Sequence, residues 1–293
     1  MLTASFAAVL DEVRGISWPA LRRVRSAVVG PHASIVRGTM AEFVEHRAYQ
    51  QGDDPKKIDW KLVARTDRVY IRLSQERAIL PTMLVVDGSA SMAFPPTSLA
   101  KWDLASRLAI GLAAVARHGG DSVGLVVVHA GGRNLVMPRT RRTVLDEMMR
   151  ALDVAPAGEA PLAPAAVQSM RQSARVVLVS DFLGDADALL AAGRPFVAAG
   201  GELHAIHIAD AGELEPDPKT LLLVDPEQST MRRPMTPAAR AVYLQRFAAW
   251  RSELARQWRN AGATYTMLVP AAEPLRRAVR RITTPARARR VRG

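Results

Sequence analysis

An α/β fold with a mainly parallel central sheet is the class this 293-residue sequence predicts. Short apolar runs alternate with stretches of helical periodicity from residue 81 onward, the pattern of right-handed strand–helix–strand crossovers. The runs are apolar along their whole length, as in strands covered on both faces. Two of them end in an aspartate, at Asp87 and Asp181, so two carboxylates are expected at the carboxyl edge of the sheet.

In chain order, Phe6, Val9, Leu10, Val13, Ile16, Leu21 and Val24 mark one or two amphipathic helices interrupted at Pro19, with Arg22, Arg23 and Arg25 exposed. Residues 30–80 are polar, rich in glycine and charge, and contain one alternating stretch, Val69–Leu73, that reads as a strand. A strand at 83–87 precedes a helix at about 100–117, where Leu104, Leu108, Leu112 and Val115 recur at helical spacing. The strand Val123–His129 follows, and then a helix at 140–152 with Val144, Leu145, Met148, Met149 and Leu152 in one stripe. A Pro/Ala-rich loop (154–164) and a short helix lead to the strand Val176–Ser180. Further expected elements are a helix at 185–198, a strand at 203–208, a long helix at 236–260 and a last strand at 264–269. The glycine pairs at 119–120 and 131–132 read as turns. The expected organisation is a helical segment (1–29), a charged region (30–80), an α/β domain (81–283) and a basic tail (284–293).

Composition is that of an ordinary globular chain, 48% apolar with a mean hydropathy of zero. It has no apolar run of 18 residues, and Met1–Leu10 lacks the basic start and cleavage site of a signal peptide. The absence of cysteine excludes disulfides and thiolate zinc sites, and a cytoplasmic protein is expected. The net charge is +12, but eight arginines follow the last acidic residue, Glu273, which leaves about +4 for the rest. The terminal Arg287, Arg289, Arg290 and Arg292 suit a nucleic acid or anionic membrane surface, or a solvated end. With no aromatic residue in 274–293, only backbone electrostatics are encoded there.

The segment Asp87-Gly88-Ser89-Ala90-Ser91-Met92 places one carboxylate and two hydroxyls just beyond the strand end. Such an oxygen set suits a small hard cation; the plainer alternative is a turn whose serines satisfy local amides. Asp-x-Ser-x-Ser resembles the opening of the metal-ion-dependent adhesion site of von Willebrand factor A (vWA) domains. The resemblance implies a Mg2+ site (or Mn2+ or Ca2+) formed by Asp87, Ser89 and Ser91, with Asp181 completing it through a water. The loop threonine of that site has no counterpart here, because Gly158-Glu159-Ala160-Pro161-Leu162 carries Ala160 at its place. Water or Glu159 is the candidate replacement.

A second signature precedes the first core strand. It comprises Arg37-Gly38 with Glu42-Phe43, Arg47-Ala48-Tyr49, Gly52-Asp53-Asp54, Ile58-Asp59-Trp60-Lys61 and Ala64-Arg65-Thr66. Physically, 52–55 is a turn, Ile58 and Trp60 are candidates for inward packing, and the acids and bases are expected to interlock. This string closely resembles the DUF58 family over residues 30–95 and more loosely to about 280. The resemblance implies a bacterial protein with a vWA-like domain, working beside a MoxR-type AAA+ ATPase on a client protein, and similar to MxaS-type methanol-dehydrogenase accessory proteins. Three functions are therefore weighed: a non-catalytic adaptor using the metal site, a metal-assisted hydrolase, and an anionic-surface binder. The adaptor is the expectation. No Ser/His/Asp arrangement, metal-binding His pair or phosphate-cradling glycine loop is evident, and His204 and His207 lie on an apolar strand.

Overall fold

The computed structural model describes residues 2–20, 41–53, 55, 58–66, 68–76, 79–220, 222–224 and 232–284. Arg37, Asp54, the arginines at 22, 23 and 25 and the tail arginines Arg287, Arg289, Arg290 and Arg292 lie outside the described residues. The chain divides into two compact units, Val24–Ile79 and a larger one formed by Met1–Arg23 with Leu80–Gly293.

The larger unit begins with α1 (Leu2–Glu12), whose Val9 and Val13 are buried together with Ile16 and Trp18 just beyond it. The smaller unit follows. Its β1 (Ala41–Ala48), α2 (Trp60–Thr66) and β2 (Tyr70–Glu76) form an antiparallel pair with a short connecting helix. Asp59 holds the start of α2: its Oδ1 accepts the amides of Lys61 and Leu62 at 3.1 and 3.3 Å, and its Oδ2 lies 3.0 Å from His46 Nε2. Arg47 donates to Asp53 at 2.8 Å, and Asp53 also accepts the Gln50 amide across the turn at Gly52. Part of the expected charge network is therefore present. Lys61 and Arg65 are exposed on α2, and Glu42 lies on β1. Inward packing of Trp60 is corrected: the residue is 67% exposed, because Asp59 caps the helix at its back and α2 has no buried residue. Ile58, half-buried, bridges to Ile71 instead, and Tyr49 is exposed.

The rest of the larger unit runs β3 (Thr82–Gly88), a 3-10 turn (Ala90–Ala93), α3 (Ala100–His118), β4 (Val123–His129), β5 (Gly132–Arg139), α4 (Val144–Ala151) and α5 (Ala163–Gln172). It continues with β6 (Arg175–Ser180), α6 (Ala186–Ala198), β7 (Glu202–Ile208), α7 (Ala211–Leu214), β8 (Leu222–Val224), β9 (Arg232–Pro234), α8 (Pro237–Asn260), β10 (Thr264–Leu268) and α9 (Leu275–Thr283). Six strands form one sheet in the order β10-β7-β6-β3-β4-β5, parallel except for β5. Counting only these strands in chain order, the sequence across the sheet is 3-2-1-4-5-6, a doubly wound arrangement.

Both faces are covered, which is why the strands read as unbroken apolar runs. Leu84, Val86, Leu125, Val127, Val177 and Val179 point to one core, against α1, α3, α4 and α9. Their neighbours Met83, Val85, Val126, Val128, Val176 and Leu178 point to the other, which includes Phe182, Leu190, Leu254 and Trp258 from the opposite layer. At the amino-terminal edge of the sheet the fully buried Arg175 donates to Glu202 at 2.9 Å and to Asp121 at 3.1 Å, and lies 4.2 Å over the Trp18 ring. That clamp ties the segment after α1 to the start of β6.

Strand β5 and helix α9 were not expected. Only Val136 of β5 is buried, so this edge strand lacks the apolar signal, and the Gly131–Gly132 turn is its hairpin. In α9 the buried Leu275, Ala278, Val279 and Ile282 are interleaved with four arginines, which disguised the helix as part of a basic end.

Candidate functional site

The order of the sheet puts β3 between β4 and β6, so the connections leaving β3 and entering β6 run to opposite sides. A crevice opens at the carboxyl ends of strands at such a switch point, where open α/β sheets bind ligands. Val86 pairs with Val179, so Asp87 and Asp181 leave adjacent strands at this crevice. Both are almost fully buried, at 4% and 3% exposure.

Local backbone demands fix Asp87. Its Oδ1 accepts the Ser89 amide at 2.9 Å, and its Oδ2 accepts the Ser180 hydroxyl at 2.6 Å. Ser180 Oγ in turn accepts the Phe182 amide at 2.8 Å, so the ends of β3 and β6 are tied together. Ser89 Oγ and Ser91 Oγ lie 3.0 Å apart, both buried. Burial, and then the negative charge of Asp181, push the Asp87 carboxyl up to about 6, against the Ser180 and Ser89 hydrogen bonds. The 158 loop docks on this turn: Gly158 accepts the Ala90 amide at 2.9 Å and Ala157 donates to Gly88 at 3.0 Å. Gly158 adopts φ +60, which suits glycine, and its missing Cβ would meet Ala130 at 2.8 Å. Glu159 is exposed on that loop and Ala160 is half-buried.

Asp181 is held differently. Lys101, from the first turn of α3 and fully buried, donates to Asp181 Oδ2 and to Glu213 Oε1, both at 2.8 Å. The other Asp181 oxygen accepts the Leu183 amide at 3.2 Å. Burial alone would lower Lys101, but the two carboxylates more than reverse this and hold the ammonium above its usual range. Burial raises Glu213 despite Lys101. Glu213 also accepts the Asp210 amide at 2.7 Å in a capping box, and its carbonyl accepts the Tyr243 hydroxyl at 2.8 Å.

The family model described as "Protein of unknown function DUF58" matches residues 45–253. The chain belongs to the DUF58 family. It is 33% identical over 245 residues to the uncharacterized proteins Rv1480 of Mycobacterium tuberculosis and Mb1516 of Mycobacterium bovis, covering 80% of this chain and 76% of each relative. Among solved structures, an aerotolerance-related membrane protein from Bacteroides fragilis is 18% identical with a TM-score of 0.43, over 69% of this chain and 95% of that one. BatB from Bacteroides thetaiotaomicron (14%, TM-score 0.42) and the SpRpn10 VWA domain (13%, TM-score 0.40) each cover 69% of this chain and 94% of theirs. The DUF58 chain is vWA-like in its six-stranded, mostly parallel sheet with helices on both faces.

Among the described residues no three His, Cys, Asp or Glu side chains converge as a metal cluster, so a cation here must draw on hydroxyls. The donor set fits one. Two hydroxyl oxygens 3.0 Å apart match neighbouring ligands of a small octahedral ion, whose oxygens sit about 3 Å from one another. Lys101 answers two carboxylates, Asp181 and Glu213, while the neighbouring Asp87 is met by hydroxyl and amide donors and feels the charge of Asp181. Of the residues expected from the sequence, Asp87, Ser89, Ser91 and Asp181 gather at this edge, while Glu159 is exposed on the neighbouring loop. Ser180, Lys101 and Glu213 had not been singled out. Ser180 was legible as the residue before Asp181. Lys101 carries no signal, since a lysine in the first turn of a helix is ordinarily solvated.

Proposed function

We propose that this DUF58 protein is a non-catalytic binding module whose switch-point edge docks an acidic side chain of a partner through a divalent cation. Asp87, Ser89 and Ser91 would hold the ion, with Asp181 behind it. The observation that carries the reading is the pairing of a buried Asp87 with two adjacent buried hydroxyls. When bound, a hard dication supplies a Lewis-acidic position for an outside carboxylate. The chain's own part is to orient Asp87 through Ser180 and the Ser89 amide, and to exclude water from one side of the crevice.

A cytoplasmic adaptor between a MoxR-type AAA+ ATPase and a client protein is the role that the family resemblance favours, with Mg2+ as the ion. Among the described residues no helix is long and apolar enough to cross a membrane. His204 and His207, both buried and held well below their usual range, serve packing in this reading rather than proton transfer. The test is surface-plasmon binding of the purified chain to a MoxR-type AAA+ ATPase from the same organism, with Mg2+ or EDTA. Loss of binding in EDTA and in Asp87→Ala is expected. Binding indifferent to both overturns the cation bridge.

A second reading has one observation behind it. Helix α9 turns Arg277 and Arg280 outward while Arg276 and Arg281 are tied to backbone carbonyls. An anionic surface docking there would lose affinity steeply with salt, and a salt-independent interaction excludes it.

A further inference from the structure

We propose that Lys101 is a resident counter-ion that withholds Asp181 from a divalent cation and so sets the affinity of the Asp87 edge low. The inference rests on the cation reading above and deepens it. Solvent does not screen this ion pair: Lys101 is 0% exposed, and its ammonium meets Asp181 Oδ2 and Glu213 Oε1 at 2.8 Å each. With Oδ1 engaged by the Leu183 amide, both Asp181 oxygens already have donors. An arriving dication competes with a fixed ammonium for the same carboxylate and is repelled by it at low dielectric.

The backbone on both sides of the pair is set against local preference. Leu99, two residues before Lys101, has φ +52, and Phe182, directly after Asp181, has φ +57. Left-handed geometry is unfavourable for a non-glycine residue, so the surrounding fold over-determines both ends of the ion pair. Phe182 is locked by packing 5.5 Å from Trp258 and 6.0 Å from His207. Lys101 and Asp181 are thus presented to each other by rigid elements, with little freedom for Asp181 to turn toward a cation. Ala160 acts in the same direction, since the loop that docks beside Ala90 offers no hydroxyl at that position.

The experiment is a calorimetric titration of Mn2+ into the full chain, for the natural protein, Lys101→Met and the double variant Lys101→Met/Glu213→Gln, with melting temperatures recorded with and without Mn2+. The double variant removes one positive and one negative charge, so the formal charge of the cluster is unchanged and no second unpaired acid is left if the single variant fails to fold. Glutamine at 213 keeps the capping box. The expected result is Mn2+ binding at least tenfold tighter in the double variant than in the natural chain, with a larger Mn2+-dependent rise in melting temperature. Unchanged or weaker binding overturns the proposal and leaves Lys101 a structural ion-pair partner, as does the absence of binding in all three proteins. Tight binding in the double variant with none in the natural chain supports the role of Lys101 while removing the cation bridge from the natural protein's function.

Discussion

Lys101 and Asp181, 80 residues apart in sequence, meet at 2.8 Å with both side chains buried. The contact joins the start of α3 to the end of β6, and through Glu213 it reaches α7 and the Tyr243 hydroxyl on α8. The neighbouring Asp87 instead accepts from the Ser89 amide and the Ser180 hydroxyl, both neutral donors. The two acids of the edge therefore differ in kind: one is paired with an ammonium, the other is held by neutral donors.

Asp87→Asn removes a buried charge that faces Asp181 while keeping a carbonyl oxygen for the Ser89 amide and turning an NH2 donor toward Ser180 Oγ. Without divalent cations the variant is expected to be more stable by about 1–3 kcal/mol, and its melting temperature is expected not to respond to Mn2+. Urea denaturation with and without the metal checks both; a variant less stable than the natural chain in EDTA would mean that Asp87 is balanced by groups within the fold.

Gly88→Ala should displace the site without touching its chemistry. A Cβ at this position would lie 2.8 Å from the Val128 carbonyl oxygen on β4, a backbone atom that can yield only by parting the strands. A loss of about 1–3 kcal/mol is expected, with slowed protection of the β3 and β4 amides in hydrogen exchange. Native protection would show that the strand ends tolerate the methyl group.

Arg175 is the corresponding test at the opposite edge. Arg175→Met leaves the buried Glu202 and the half-buried Asp121 without the guanidinium and removes the cation over Trp18. A destabilisation of about 3–5 kcal/mol is expected, measured by chemical denaturation, while any Mn2+ affinity of the remaining folded protein stays as in the natural chain.

His204 makes the fold acid-sensitive. Burial, then the charge of Arg175, lower it from the ordinary 6.5 to about 3, and neither ring nitrogen has a hydrogen-bond partner among the described residues. The unfolded state binds the proton first, so the contribution is intact above pH 6.5 and is lost as the pH falls toward 3. At pH 5 the loss is about 2 kcal/mol. His204→Leu should remove that slope, so that the difference in stability between variant and natural chain grows between pH 7 and pH 5. An equal difference at both pH values contradicts a neutral, buried His204.

Much of this architecture is legible in the residues themselves. Strands buried on both faces must be apolar throughout, which is why β3, β4, β6 and β7 stand out, and an aspartate ending such a run can only sit at the sheet edge. Partners that arrive from elsewhere leave no local mark. Lys101 looks like any helix-start lysine until α7 and β6 close over it, and β5 shows no periodicity because a single residue of it is buried. Trp60 misleads in the opposite way: an aromatic two residues after Ile58 reads as inward-packing, yet on the helix that Asp59 starts it is exposed.

The most direct measurement is anomalous diffraction from crystals of the full chain grown in MnCl2. A manganese peak bonded to Ser89 Oγ and Ser91 Oγ beside Asp87 is the predicted result, with Asp181 still on Lys101. A map without a peak at Asp87, at MnCl2 concentrations high enough to saturate a weak site, contradicts the account.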